Sequence, residues 1–155
     1  MRSVTATAVA AGLPASVADR ELRVLAERLR LERRDTRQVV VRDSHGPGNV
    51  CWVEVEAEGG RELFTAFGAK GVAAEDVAER AAAEAAGWLE AGVPVGEHLA
   101  DQLLVPMAIG CGGTFRTTAP SLHTRTNAEV IARFVPVRIA IDEVGGGAWQ
   151  ITVDR

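Results

Sequence analysis

The sequence contains no tyrosine, and aromatic residues fill only 5% of its 155 positions. Proteins that hold single strands by stacking bases need aromatic faces, so this scarcity argues against a base-stacking platform. No apolar run approaches the ~18 residues that mark a membrane-spanning helix. The opening Met1-Arg-Ser-Val-Thr-Ala-Thr-Ala also lacks the long apolar core of a secretory signal. A membrane partner is therefore not expected. Cysteine is scarce: Cys51 and Cys111 stand far apart. That fits two free thiols in a reducing cytoplasm, and two lone cysteines cannot hold a metal by themselves. Positive charge is not in excess either. With a formal net charge of -4, the overall field does not draw nucleic acid, DNA is not expected as a partner, and RNA contact would need a local basic patch. The glycine-rich Gly110-Cys-Gly-Gly113 matches neither a Walker nor a dinucleotide fingerprint and reads as a flexible turn, with Cys111 a small packed residue.

What is present is the balance of a globular protein, 47% hydrophobic and 25% charged. The length allows one ordinary domain or two small ones. Residues 4–9 alternate as a strand, and Pro14 opens a helix with Val17, Leu22, Leu25 and Leu29 as its apolar stripe. Residues 38–41 form a short strand, followed by the turn-rich Arg42-Asp-Ser-His-Gly-Pro-Gly-Asn49. Over residues 50–57, Cys51, Val53, Val55 and Ala57 share one face, with Trp52, Glu54 and Glu56 on the other. Glu58-Gly-Gly60 then returns the chain into residues 61–67 as a hairpin. A helix over residues 73–91 aligns Val77, Ala81, Ala85 and Trp88 and stops at Gly92 and Pro94.

That stop is the expected domain boundary. Residues 1–92 read as a two-layer unit of four strands and two helices. Residues 93–155 hold a helix over 97–109 kinked or shortened by Pro106, a strand over 114–118, a short helix over 127–134 and a closing hairpin around Gly145-Gly-Gly147. The overall class is α+β. The second unit has a thin core for its length, so an exposed apolar face is expected on it.

Two stretches carry the chemistry. Pro120-Ser-Leu-His123-Thr-Arg-Thr-Asn127 places a histidine in a polar loop before a helix start. Thr126 or Asn127 would be the cap, with Glu129 in capping-box spacing from Thr126. Free N–H groups and the positive end of that helix favour a bound phosphate, with Arg125, Ser121 and Thr124 as further donors. A neutral imidazole in such a place can attack phosphorus; the plain alternative is an exposed loop residue. In Glu97-His-Leu-Ala-Asp-Gln102, helical spacing puts His98, Asp101 and Gln102 on one polar stripe beside Leu99, Leu103 and Met107. Such a stripe can read a nucleoside, or it can be a solvated helix face. His45 reads as a surface loop residue, and the arginines between 28 and 42 as a solvated face with RNA contact as a minority reading.

These stretches, with His45-Gly-Pro-Gly-Asn49, Val95-Gly-Glu-His-Leu-Ala-Asp-Gln-Leu-Leu-Val-Pro-Met-Ala108 and the run Glu129-Val-Ile131, resemble the RNA 3'-terminal phosphate cyclase family. The resemblance implies an ATP-dependent enzyme that converts an RNA 3'-phosphate into a 2',3'-cyclic phosphate, a ligase of RNA processing. It implies His123 as the nucleophile that takes AMP, and His98, Leu99, Ala100, Asp101 and Gln102 as the nucleotide-binding run, His98 more as lining than as chemistry. ATP is the implied cofactor, with a divalent cation, Mg or Mn, accompanying it; no metal ligands are assigned. Residues 1–92 resemble the family's insert domain, and residues 93–155 only the C-terminal part of its catalytic domain, a partial α/β repeat. A missing N-terminal half is thereby an implied partner beside RNA 3'-phosphate ends, and the chain alone would be weakly active or inactive. The alternative within the same resemblance is a non-catalytic cyclase-like protein of ribosome assembly, which lacks the nucleophile. The implied location is cytoplasmic.

Overall fold

The computed structural model describes residues 3–57 and 60–155. The chain divides into a first unit ending at Ala86 and a second unit, Gly87–Arg155.

The first unit is built on β1 (Ser3–Ala11), whose alternation turns Ala6, Ala8 and Ala10 inward to complete burial. Pro14, with its fixed φ, leads into α1 (Ala15–Leu29). This helix packs on the sheet through Ala18, Glu21 and Leu25, while Val17, Leu22 and Leu29 of the expected stripe are only half-buried. The alanine floor of β1 lets the helix approach closely along that line. The chain then forms β2 (Thr36–Val41), parallel to β1, and the antiparallel strands β3 (Gly48–Ala57) and β4 (Gly60–Phe67), in the order β2-β1-β3-β4. The expected turn between β3 and β4 falls partly on residues 58–59, outside the described residues.

Register sorts the sheet into two faces. Cys51, Val53, Val55, Phe64 and Ala66 join the β1 alanines in the core. Gln38 of β2 points the same way and donates to the Asp19 carboxylate and the Ala15 carbonyl of α1. Helix α2 (Ala74–Ala91) buries Val77, Ala81, Ala85 and Trp88, as its spacing predicts. Its first turns are tied to α1 by Arg20–Glu75 at 2.7 Å and Arg28–Glu79 at 2.9 Å.

The second unit contains α3 (Glu97–Ile109), β5 (Gly113–Thr117), α4 (Leu122–Phe134), β6 (Arg138–Gly145) and β7 (Ala148–Asp154), with an antiparallel sheet ordered β5-β7-β6. Its core is Val95, Ala100, Leu104, Ala108, Ala128, Ile151 and Val153, with Leu99, Leu103, Met107 and Phe115 packed against it. Pro106 does not shorten α3: the helix spans the expected residues to Ile109, and the Gly110 N–H reaches the Pro106 carbonyl at 2.9 Å. Pro106 and Gln102 are both exposed, and proline has no N–H to give the Gln102 carbonyl. Exposed large apolar residues of this unit include Val105 and Ile109 on α3, and Leu122, Val130 and Phe134 on α4.

At the end of α3, Gly112 has φ +70 and donates to the Met107 carbonyl at 3.0 Å. A side chain there would overlap the Val153 carbonyl oxygen, so this turn needs glycine. Cys111 beside it is exposed, not packed.

Candidate functional site

Helix α4 begins five residues earlier than its sequence indicates. The cap is Ser121, in extended conformation, not Thr126 or Asn127. Its hydroxyl accepts the Thr124 N–H at 3.2 Å and lies 3.1 Å from the Thr124 hydroxyl, while Arg125 N–H donates to the Ser121 carbonyl at 3.1 Å. The early start follows from packing: Thr124 is completely buried and Ala128, one turn on, nearly so. These two positions carry the inward face of the helix one turn back from Ala128, and serine supplies the acceptor that a helix start requires.

Three sequence expectations change as a result. His123 lies in the first turn of α4 rather than in a loop; its side chain is exposed. Ser121 and Thr124 are engaged with each other and with the cap, so their hydroxyls are not free phosphate donors. Arg125 is exposed, but its guanidinium lies 5.0 Å from the ring centroid of Trp149 on β7, a cation–π contact that directs it toward the sheet. What remains for an anion is the pair of N–H groups at Leu122 and His123. These are the first two helical positions, which have no carbonyl inside the helix to meet.

The two motif stretches meet through their polar residues. Asn127 lies one turn after His123 on the same helical face, and its amide donates to the Asp101 carboxylate of α3 at 2.5 Å. The end of β5 is held beside the start of α3 by a parallel bridge between Val95 and Thr117, and by the buried Thr117 hydroxyl donating to the Gly96 carbonyl at 3.5 Å. Both stretches therefore leave the sheet at neighbouring points. Along α3, His98 and Gln102 are exposed at i, i+4 and Asp101 is half-buried between them. Leu99 packs against the core, and Ala100 is completely buried within it. Ala100 seats the helix; its side chain cannot line a site open to solvent. Sequence reasoning did not single out Asn127 as a partner of Asp101. The only signal was an amide in the His123 segment and a carboxylate on the α3 stripe.

A second polar cluster, in the first unit, was missed altogether. Glu21 of α1 is completely buried and accepts a hydrogen bond from the Asn49 amide at the start of β3. Its Oε2 has no partner among the described residues. Burial raises its pKa, opposed by the Asn49 hydrogen bond. Burial, with the Glu21 charge nearby, also pushes the Cys51 thiol up to about 12. On the surface, the hydrogen bond from Arg20 holds the Glu75 carboxyl down to about 2. Asn49 ends the Gly-Pro-Gly-Asn motif, and the absence of a side chain at Gly68 makes room for its amide, so the motif serves this cluster. His45 is exposed in the preceding turn, as expected.

Comparison with known proteins gives these features their setting. Residues 1–90 match the RNA 3'-terminal phosphate cyclase (RTC), insert domain. The chain is 47% identical over 134 residues to an RNA 3'-terminal phosphate cyclase of Pseudomonas fluorescens, covering 86% of this chain and 39% of that protein. It is 41% identical over 148 residues to one of Pseudomonas aeruginosa, covering 96% and 43%. A third, of Koribacter versatilis, is 45% identical over 138 residues, covering 89% and 39%. The chain thus spans about two fifths of the length of the curated relatives it matches.

Proposed function

Because this chain belongs to the RNA 3'-terminal phosphate cyclase family, we propose that it takes part in ATP-dependent conversion of an RNA 3'-phosphate into a 2',3'-cyclic phosphate, with His123 as the nucleophile. In this reading an imidazole nitrogen of His123 attacks the α-phosphorus of ATP. A P–N bond forms, and the bond to the leaving pyrophosphate breaks. The adenylyl group then passes to an oxygen of the RNA 3'-phosphate, regenerating the imidazole. The neighbouring 2'-hydroxyl attacks that phosphate, loses its proton and expels AMP, closing the ring. Splitting the reaction this way lets one histidine spend the reactivity of ATP in two manageable steps.

The observation that carries the reading is the exposed His123 in the first turn of α4, beside N–H groups with no helical acceptor. Such groups and the helix dipole stabilise charge on phosphoryl oxygens. The Asp101–Asn127 bond supports a role for the α3 run beside it: His98, Asp101 and Gln102 would line the nucleoside, and Leu99 and Ala100 would support them from the core. Among the described residues no group of three metal-ligating side chains occurs. We assign no protein ligand to the Mg or Mn that accompanies ATP, whose phosphates would supply part of its coordination. A cytoplasmic place of action belongs to the same reading.

The relatives extend well beyond the span matched here, and the exposed apolar residues of α3 and α4 offer a surface for more polypeptide. In our reading the chain alone is weakly active or inactive, and adding the remaining portion of a relative as a separate polypeptide raises cyclisation. The test uses an RNA with a labelled 3'-phosphate, ATP and that added portion. Cyclic product with the native chain and none with His123→Asn is expected. Equal product from both would remove His123 from the chemistry.

A further inference from the structure

The face of the first sheet turned away from α1 brings two aromatic residues of the chain together. Register sets Val39, Val9, Val50 and Phe67 in one row across all four strands, and Arg37, Thr7, Trp52 and Thr65 in the next. Phe67 is 69% exposed, and Trp52 is half-buried. The two rings lie on neighbouring strands at a diagonal spacing of roughly 7–8 Å. Scarcity of aromatics pointed away from a stacking surface. Composition does not decide this, because two or three rings on one sheet face can stack bases.

Charge sorts along the same face. Arg37 is exposed and has no ion-pair partner among the described residues. The acids lie toward the other end, where Glu54 is paired with Arg61 at 2.8 Å and Glu56 accepts from the Ser3 hydroxyl at 3.4 Å. One end of the face therefore offers two rings, the half-buried Thr65 and an unneutralised guanidinium, while Thr7 between them is buried. Leu63 and Val41 add exposed apolar area to the same face; the rings and the free guanidinium are what favour stacked bases and a phosphate.

We propose that this face binds single-stranded RNA, with bases stacked on Trp52 and Phe67 and a backbone phosphate on Arg37. The proposal rests on the reading that the protein works at RNA ends, and it gives the first unit a substrate-holding role apart from His123. Duplex RNA hides its base faces and should bind less well.

The test is fluorescence anisotropy of a labelled single-stranded RNA ending in a 3'-hydroxyl, titrated with the full chain at low salt without ATP. Phe67→Ala should weaken binding roughly five- to a hundred-fold, the range of one lost base stack, and Phe67→Trp should retain it. Arg37→Gln should lower the slope of log affinity against log salt by about 0.7. Because this RNA cannot be cyclised and no ATP is present, RNA binding that depends on Phe67 would stand even if His123 never accepted AMP. Unchanged affinity in Phe67→Ala and Arg37→Gln, equal affinity for duplex and single strand, or no RNA binding by the native chain would each overturn the proposal. So would self-association abolished by Phe67→Ala, which would assign the face to a second copy.

Discussion

Replacing Ser121 by alanine should loosen the start of α4 and disturb His123 without touching it. The substitution removes the acceptor of the Thr124 N–H at 3.2 Å, a loss that costs about 1 kcal/mol for a typical N-cap. It also strips the Thr124 hydroxyl of its partner at 3.1 Å. Thr124 is completely buried, so that orphaned hydroxyl adds roughly another 1 kcal/mol. About 2 kcal/mol in a unit of this size corresponds to a fall of roughly 10 °C in the midpoint of its unfolding transition. Far-ultraviolet circular dichroism during thermal unfolding measures it. Thr126→Ala is the control: Thr126 is exposed in the body of the helix, where alanine is slightly preferred, so no loss is expected. Ser121→Asp separates stability from chemistry. It keeps an acceptor and places a favourable charge at the helix start, so the midpoint recovers, but the carboxylate opposes an ATP phosphate at His123 and adenylylation should fall. If Thr126→Ala costs more than Ser121→Ala, the helix start described above is wrong.

Four further outcomes follow from the packing. Glu21 has its pKa raised by burial, so the stability it contributes is fully present below the unfolded value, about 4.3, and is lost as pH rises through the folded value. Glu21→Gln should therefore gain on the native chain in urea midpoint between acid and neutral pH; parallel curves would contradict the buried carboxyl. A maleimide at pH 8 should label Cys111 promptly and leave Cys51 untouched until unfolding, because Cys51 is buried and its thiolate scarce at a pKa of about 12. Gly112→Ala should cost more than ~2 kcal/mol in chemical denaturation, from its left-handed backbone and the overlap with Val153. Gly87→Ala, inside α2 with open space around it, should instead gain up to about 1 kcal/mol.

The elements that were legible in the sequence are those set by local pattern. The alternation of β3 and the spacing of α2 name their own buried faces, and the hairpins follow from their glycines. Positions fixed by partners far along the chain were not legible. Glu21 falls on the inward face of α1 only because Asn49, in a different element, supplies an amide. The start of α4 was misplaced because Thr126 and Glu129 have capping-box spacing, while Ser121 wins through the burial of Thr124 and Ala128. Pro106 does not stop α3, because an exposed turn near a helix end can leave one carbonyl without its helical donor. For the candidate site, His123, Asp101 and Gln102 could be named from their segments. The bond through Asn127 that joins those segments needed the fold.

The central claim concerns one imidazole. The chain, with the remaining portion of a relative added, should be incubated with ATP labelled at the α-phosphate and a divalent cation, then digested and mapped by mass spectrometry. The account predicts an acid-labile, base-stable adenylyl group on the peptide containing His123, absent in His123→Asn. A label on any other residue, or the same label in the His123→Asn protein, contradicts it.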